Sequence, residues 1–256
     1  MTFKERLKEF RAFLLGIDPG MMKLVYKTSY TPKDGTIEAF IAEKTQQLKP
    51  LHFVQIGGND GFIKDPIFKF VKKNGWRGII VEPQKDVFHN KLRKTYRFEK
   101  KVKLDNVAID KKSEVKKLYK LAISNSRWAT GLATFDKETL IYQIERNYVD
   151  DRAKREGIET PEKTEDYITY EEVECLTLDD LLKKHGQSKL DLLQIDTEGY
   201  DFEIIKSINF EKVKPKIISF ESEHLSSEDF EACQKLLKAQ GYSIKTIDRD
   251  SIAYLD

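Results

Sequence analysis

From residue 52 onward the apolar positions fall in short runs, separated by stretches with helical spacing. Residues 52–56 predict a strand and 67–73 a helix; 78–81 predict a second strand and 87–96 a second helix. A third strand is expected over 102–109, with 115–121 paired to it in a short hairpin. Thr177 has the chemistry of an N-cap for a helix over 178–184, and Gly186 follows as its stop. Residues 190–195 and 216–220 predict further buried strands, each followed by a helix, over 202–208 and 228–239. The segment GYSIKTIDRDSIAYL then reads as two strands joined by a polar turn. Strands alternating with helices predict an α/β fold, a mostly parallel doubly wound sheet with a C-terminal antiparallel hairpin.

Two regions depart from that rhythm. Residues 124–172 are too long for an ordinary connection. Leu140, Ile144 and Tyr148 predict a helix there, and the polar residues 157–166 a mobile loop. The stretch 136–172 is expected to form a lid over an acceptor or an oligomer contact. At the other end, Phe3, Leu7, Phe10 and Leu14 recur at helical spacing, which predicts an N-terminal helical extension over 1–49 ahead of a domain over 50–256. That helix is expected to pack on its own domain or on a second copy of the chain.

Composition narrows the function. The 256 residues carry 45 basic against 43 acidic side chains, a net charge of +2, with 39% hydrophobic residues. The balance predicts no nucleic-acid partner, which usually demands a basic excess, and it excludes a disordered chain. Two cysteines cannot build a disulfide framework, and no Cys/His spacing suits zinc. Without a membrane-length apolar run or a targeting signal, a soluble, cytoplasmic protein is expected.

The chemistry concentrates at three strand ends. In FVQIGGNDG, residues 53–61, a strand runs straight into Gly57, Gly58, Asn59, Asp60 and Gly61. Glycines there let the backbone turn tightly and a ligand approach the main chain. Asn59 occupies the second glycine place of the dinucleotide fingerprint, and no Gly-Lys-Ser/Thr follows, so neither NAD nor a P-loop nucleotide fits well. An amide and a carboxylate instead suit a ligand with a cationic head, such as S-adenosylmethionine. Glu82 in GIIVEP stands at the next strand end, where it can accept from both ribose hydroxyls. In LDLLQIDTEGYD, residues 190–201, Asp196 and Glu198 reach the same edge, as ligand contacts or helix caps.

The order FVQIGGNDG, GIIVEP, NVAID and LLQIDTEGYDFEII resembles the FkbM-type S-adenosylmethionine-dependent methyltransferases over roughly residues 50–255. The resemblance implies a seven-stranded Rossmann-like class I sheet and O-methylation of a sugar, glycan or natural-product hydroxyl. It implies a cofactor site of Gln55, Gly57, Gly58, Asn59, Asp60, Gly61, Glu82, Pro83, Val107, Ala108 and Asp196. Asn59 and Asp60 would lie at its methionine end, Glu82 at the ribose, and Val107 and Ala108 along the adenine.

Two further stretches bear on the acceptor and the base. SNSRWATG, residues 124–131, offers Arg127 for an acidic acceptor and Trp128 as a flat surface for a sugar ring, with Glu223 a third acceptor contact. KPKIISFESEH brings Glu221, Glu223 and His224 to the same sheet edge. Strand alternation would put Glu221 and Glu223 on one face and His224 on the other. His224 is the expected proton acceptor, supported by Asp196 and Glu198. The other route is Mg²⁺ held by Asp196, Glu221 and Glu223, which the reading does not favour. RNA or protein methylation is the alternative function; Lys111, Lys112, Lys116, Lys117 and Lys120 would meet its phosphates, although such a run is usually a solvated face.

Overall fold

The computed structural model describes residues 30–255; the Phe3, Leu7, Phe10 and Leu14 pattern lies outside them. The strands in chain order are β1 (His52–Ile56), β2 (Arg77–Val81), β3 (Val102–Asp105), β4 (Ala108–Ile109), β5 (Val115–Leu121), β6 (Ile168–Leu176), β7 (Leu192–Ile195), β8 (Ile217–Glu221), β9 (Ser243–Ile247) and β10 (Asp250–Tyr254). Seven form one sheet in the order β3-β2-β1-β7-β8-β10-β9. Neighbours from β3 to β8 pair in parallel, and β10 runs antiparallel to both β8 and β9. The expected Rossmann-like sheet, with its antiparallel C-terminal strands, is present.

The helices are α1 (Ile37–Thr45), α2 (Phe68–Asn74), α3 (Lys85–Val87), α4 (Arg93–Tyr96), α5 (Arg127–Thr130), α6 (Lys137–Glu145), α7 (Tyr148–Glu156), α8 (Leu178–Lys184), α9 (Asp201–Ser207) and α10 (Ser227–Ala239). A π-helical turn, Phe88–Leu92, joins α3 to α4. Both faces of the main sheet are covered, which is why its inner strands read as continuous apolar runs. Val54, Ile79, Leu193 and Phe220 meet α8, α9 and α10 on one face. Phe53, Ile80, Leu192 and Ile217 meet α1, α2 and α4 on the other. Ile37, Phe40 and Ile41 of α1 are therefore core residues of the sheet domain, and Lys44 lies 3.9 Å over the Tyr254 ring.

The predicted third strand is two strands in different sheets. Asn106 Nδ2 donates to the carbonyls of Glu82 (2.7 Å) and Pro83 (2.9 Å), turning the chain out of the main sheet after Asp105. β4 then pairs in parallel with β6, and β5 runs antiparallel to β6 along its whole length. The expected hairpin between residues 102–109 and 115–121 does not form; β6 takes both partners. Its sequence, ITYEEVECL, keeps only Val173 and Cys175 fully buried, so polar residues hide the strand.

Residues 124–172 fold as part of this second layer. Leu121, Ala129, Leu132, Leu140, Ile144, Val149 and Tyr167 share a small core. Tyr148 does not continue the helix of Leu140 and Ile144: Asn147 adopts a left-handed conformation (φ 61°) and Tyr148 opens α7. No helix among the described residues is long and apolar enough to cross a membrane.

Candidate active site

β1 runs directly into Gly57, whose φ of 81° favours glycine. A Cβ there would stand 1.8 Å from the Asp196 carbonyl oxygen, so the ends of β1 and β7 meet only because position 57 has no side chain. Gly58 and Gly61 serve packing instead: their Cβ atoms would meet Ile80 at 2.4 Å and Tyr96 at 2.5 Å. The Asn59 N–H donates to Glu82 Oε2 (2.8 Å), and the Gln84 N–H to Glu82 Oε1 (2.9 Å). Glu82 is 2% exposed, and burial raises its carboxyl to about 7 against those hydrogen bonds.

Gly57, Asn59, Glu82, Pro83, Ala108 and Asp196 line one cleft. Other residues of the expected set face elsewhere. The Asp60 carboxylate accepts from the N–H groups of Phe62 and Ile63, both at 2.9 Å, bracing its own loop. Gln55 donates to Asp65 (2.9 Å), and Val107 packs in the core beside Ala108.

The opposite wall of this cleft comes from residues the sequence did not single out. Gln84 Nε2 donates to Glu82 Oε1 (3.1 Å) and to the Thr130 carbonyl (2.9 Å), and Thr130 Oγ1 donates to Asn59 Oδ1 (3.2 Å). The short helix α5 is thereby tied to the glycine loop. Phe135 and Tyr200, ring edge to ring face at 5.2 Å, close the far end. Tyr200 donates to Asp110 Oδ1 (2.8 Å) while Lys116 donates to Asp110 Oδ2 (2.7 Å). Lys116 is thus a half-buried ion-pair partner of Asp110. Lys120 pairs with Glu171 at 3.0 Å, and Lys117 lies 4.3 Å over the Tyr170 ring.

A second cleft adjoins the first. Arg127, Gly131, Asp196 and Glu198 line both. Trp128, Glu221, Glu223, His224 and Asp250 line the second. Here β8 ends at Glu221 and the chain turns, so strand alternation no longer applies. His224 comes back to 3.8 Å from Glu221, and Glu223 pairs with Arg249 (2.8 Å), contrary to the expected grouping. His224 Nε2 lies 3.2 Å from Glu198 Oε2. Glu198, Glu221 and His224 bring ligand atoms within 4.8 Å of one another, a set that could hold a cation and that differs from Asp196, Glu221 and Glu223.

The electrostatics of this edge are those of crowded carboxylates. Burial, then repulsion from Glu198 and Asp201, holds Asp196 well above the ordinary range, and Glu221 is raised by burial and by Asp196. Asp201 and Asp250 are each pushed up to about 6, mainly by burial. Asp201 serves as the local brace: it accepts from the Thr197 N–H (3.1 Å), Thr197 Oγ1 (2.7 Å) and the Glu221 N–H (3.1 Å), joining β7 to β8. The hydrogen bond to Glu198 raises His224 above its usual 6.5 against the opposing effect of burial. Glu198 itself has a φ of 52° and Asn59 one of 42°, left-handed backbone held on the rim of the clefts.

A mostly parallel sheet ending in an antiparallel pair, with a glycine turn and a buried carboxylate at the first two strand ends, defines a Rossmann-like methyltransferase class of fold. The methyltransferase FkbM domain family matches residues 55–244, and the chain belongs to that family. No curated protein matches it in sequence. Among solved structures it is similar to a precorrin-6y C5,15-methyltransferase from Geobacter metallireducens GS-15, at 12% identity and a TM-score of 0.43, covering 90% of this chain and 95% of that one. It is also similar to the N-terminal domain of human METTL16 in complex with SAH, at 12% identity and a TM-score of 0.42, covering 89% and 73%. Family membership rests on the domain match and not on these distant overlays.

Proposed function

We propose that the chain transfers a methyl group from S-adenosylmethionine to a hydroxyl oxygen of a sugar or another small acceptor. The observation that carries this reading is the junction of the two clefts at Asp196 and Glu198, with His224 standing in the second cleft only. The first cleft has the chemistry for the donor: a glycine turn at Gly57, a buried carboxylate at Glu82, and Asp196 to face cationic charge. When bound, the donor supplies an electrophilic methyl on a sulfonium.

The chain's own residues supply position and proton transfer. Asn59, Glu82 and Gln84 are fixed by mutual hydrogen bonds before any ligand arrives, so little ordering is left for binding to accomplish. Glu198 accepts the Nε2 proton of His224 and so leaves Nδ1 of that ring to take the hydroxyl proton. Glu198 acts here through the histidine, as a positioning residue. The acidic edge favours the cationic donor, and residues of α5 to α7 line the second cleft.

Calorimetry of S-adenosylmethionine against NAD tests the donor assignment. Wild type is expected to bind only the first, and Glu82→Ala to weaken that binding at least about tenfold, the cost of hydrogen bonds to a charged group. A folded Glu82→Ala protein with wild-type affinity would place the donor elsewhere.

A further inference from the structure

We infer that the acceptor carries an anionic group, phosphate or carboxylate, held by Arg146 and Arg152, with its reacting hydroxyl directed toward the acidic edge. This rests on the methyltransferase reading and specifies the acceptor of that same site. The second cleft is electrically divided. Asp196, Glu198, Glu221 and Asp250 line one side, while Arg127, Arg146 and Arg152 line the side built by residues 127–152.

These arginines differ in what they already hold. Arg249, also at the cleft, is spent on Glu223 at 2.8 Å. Arg146 and Arg152 make no ion pair among the described residues; Glu156 lies one turn from Arg152 on α7 and senses its charge without closing a salt bridge. Both guanidinium groups rest against the same ring, Tyr148, at 5.4 and 5.3 Å from its centroid. Stacking on one aromatic side chain fixes two planar cations at the mouth of a cleft, leaving their N–H groups to a ligand. Deeper in, Arg127 Nε is buried without a hydrogen-bond partner, 3.9 Å from Asp60 Oδ2. Arg127 lines both clefts.

Charge then dictates orientation. An anionic group meets acidic side chains on one side and gains charge-assisted, bidentate hydrogen bonds on the other. A neutral polyol has no such polarity and could enter either way round. Fixing the anion at α6 and α7 turns the rest of the acceptor toward His224, which converts a loose encounter into one oriented approach.

The test uses the intact protein saturated with S-adenosylhomocysteine, titrated with glucose 1-phosphate, glucuronate and glucose. One of the two charged sugars is expected to bind at least about tenfold more tightly than glucose, and which one does so distinguishes phosphate from carboxylate. Arg146→Gln combined with Arg152→Gln should abolish that preference while the dissociation constant of S-adenosylhomocysteine stays unchanged. Equal binding of all three sugars, no binding of either charged one, or a preference that survives in the double variant overturns the inference. A single-stranded oligoribonucleotide that binds more tightly than either sugar, with affinity falling steeply in salt, also overturns it and assigns the arginines to a phosphodiester. Failure of S-adenosylhomocysteine to bind would instead strike at the donor site.

Discussion

In the proposed mechanism His224 takes the hydroxyl proton, and its neighbours set the pH at which it would do so. The Glu198 hydrogen bond holds its pKa above 6.5, so the ring is protonated at slightly acid pH and can accept a proton only as pH rises through that raised value. Turnover is therefore expected to climb with pH across that range. Glu198→Gln should move the climb to lower pH, because it removes the anion that favours imidazolium. His224→Ala should lower turnover by about 10²- to 10⁴-fold at unchanged donor affinity. Turnover lost to EDTA and restored by Mg²⁺, with His224→Ala still active, would transfer the role to a cation held at Glu198 and Glu221. At this scale the sequence was informative about residue types but not about their directions. Asp196, Glu198, Glu221 and His224 could be picked out as strand-end groups. That Glu223 pairs with Arg249 and Asp201 becomes the brace depends on the chain leaving β8 at Glu221, which no periodicity marks.

Elements show where local pattern misleads. β6 is polar at most of its positions because only one face meets the core, and its partners β4 and β5 lie 47 or more residues earlier in the chain. Strand pairing at such separation leaves no local trace, so residues 115–121 pointed to the wrong partner. The helices α6 and α7 were half visible, since Leu140 and Ile144 do share a buried stripe. What could not be read is that they support α5, whose Thr130 is bonded to the glycine loop. Leu140 is fully buried in that small core. Leu140→Ala should cost about 2–5 kcal/mol and, by loosening α5, speed hydrogen exchange at the amides of residues 129–131 before those of β1. Exchange that accelerates uniformly over the sheet would mean that the second layer does not open on its own.

For the whole molecule, the gathered carboxylates make stability depend on pH. Asp201 and Asp250 have pKa values of about 6 against an ordinary 3.8, so the folded state keeps their protons where the unfolded chain has lost them. Their contribution is complete below about 3.8 and is lost as pH rises through about 6. Asp250→Asn should therefore raise the melting temperature of the ligand-free protein at pH 8, by a stabilisation of about 1–3 kcal/mol, and leave it nearly unchanged at pH 4. An equal effect at both pH values would show that charge is not the cause. The sequence by itself determined the parallel sheet, the glycine turn and Glu82, because apolar runs, glycines and strand-end acids are local signals whose meaning follows from strand geometry. Only the tertiary structure decided which acids share one site, that Lys116 pairs with Asp110, and that Arg127, Arg146 and Arg152 share a cleft with Asp196, Glu198, Glu221 and Asp250. Those facts depend on contacts between residues far apart in the chain, and Coulomb energies follow distance in space.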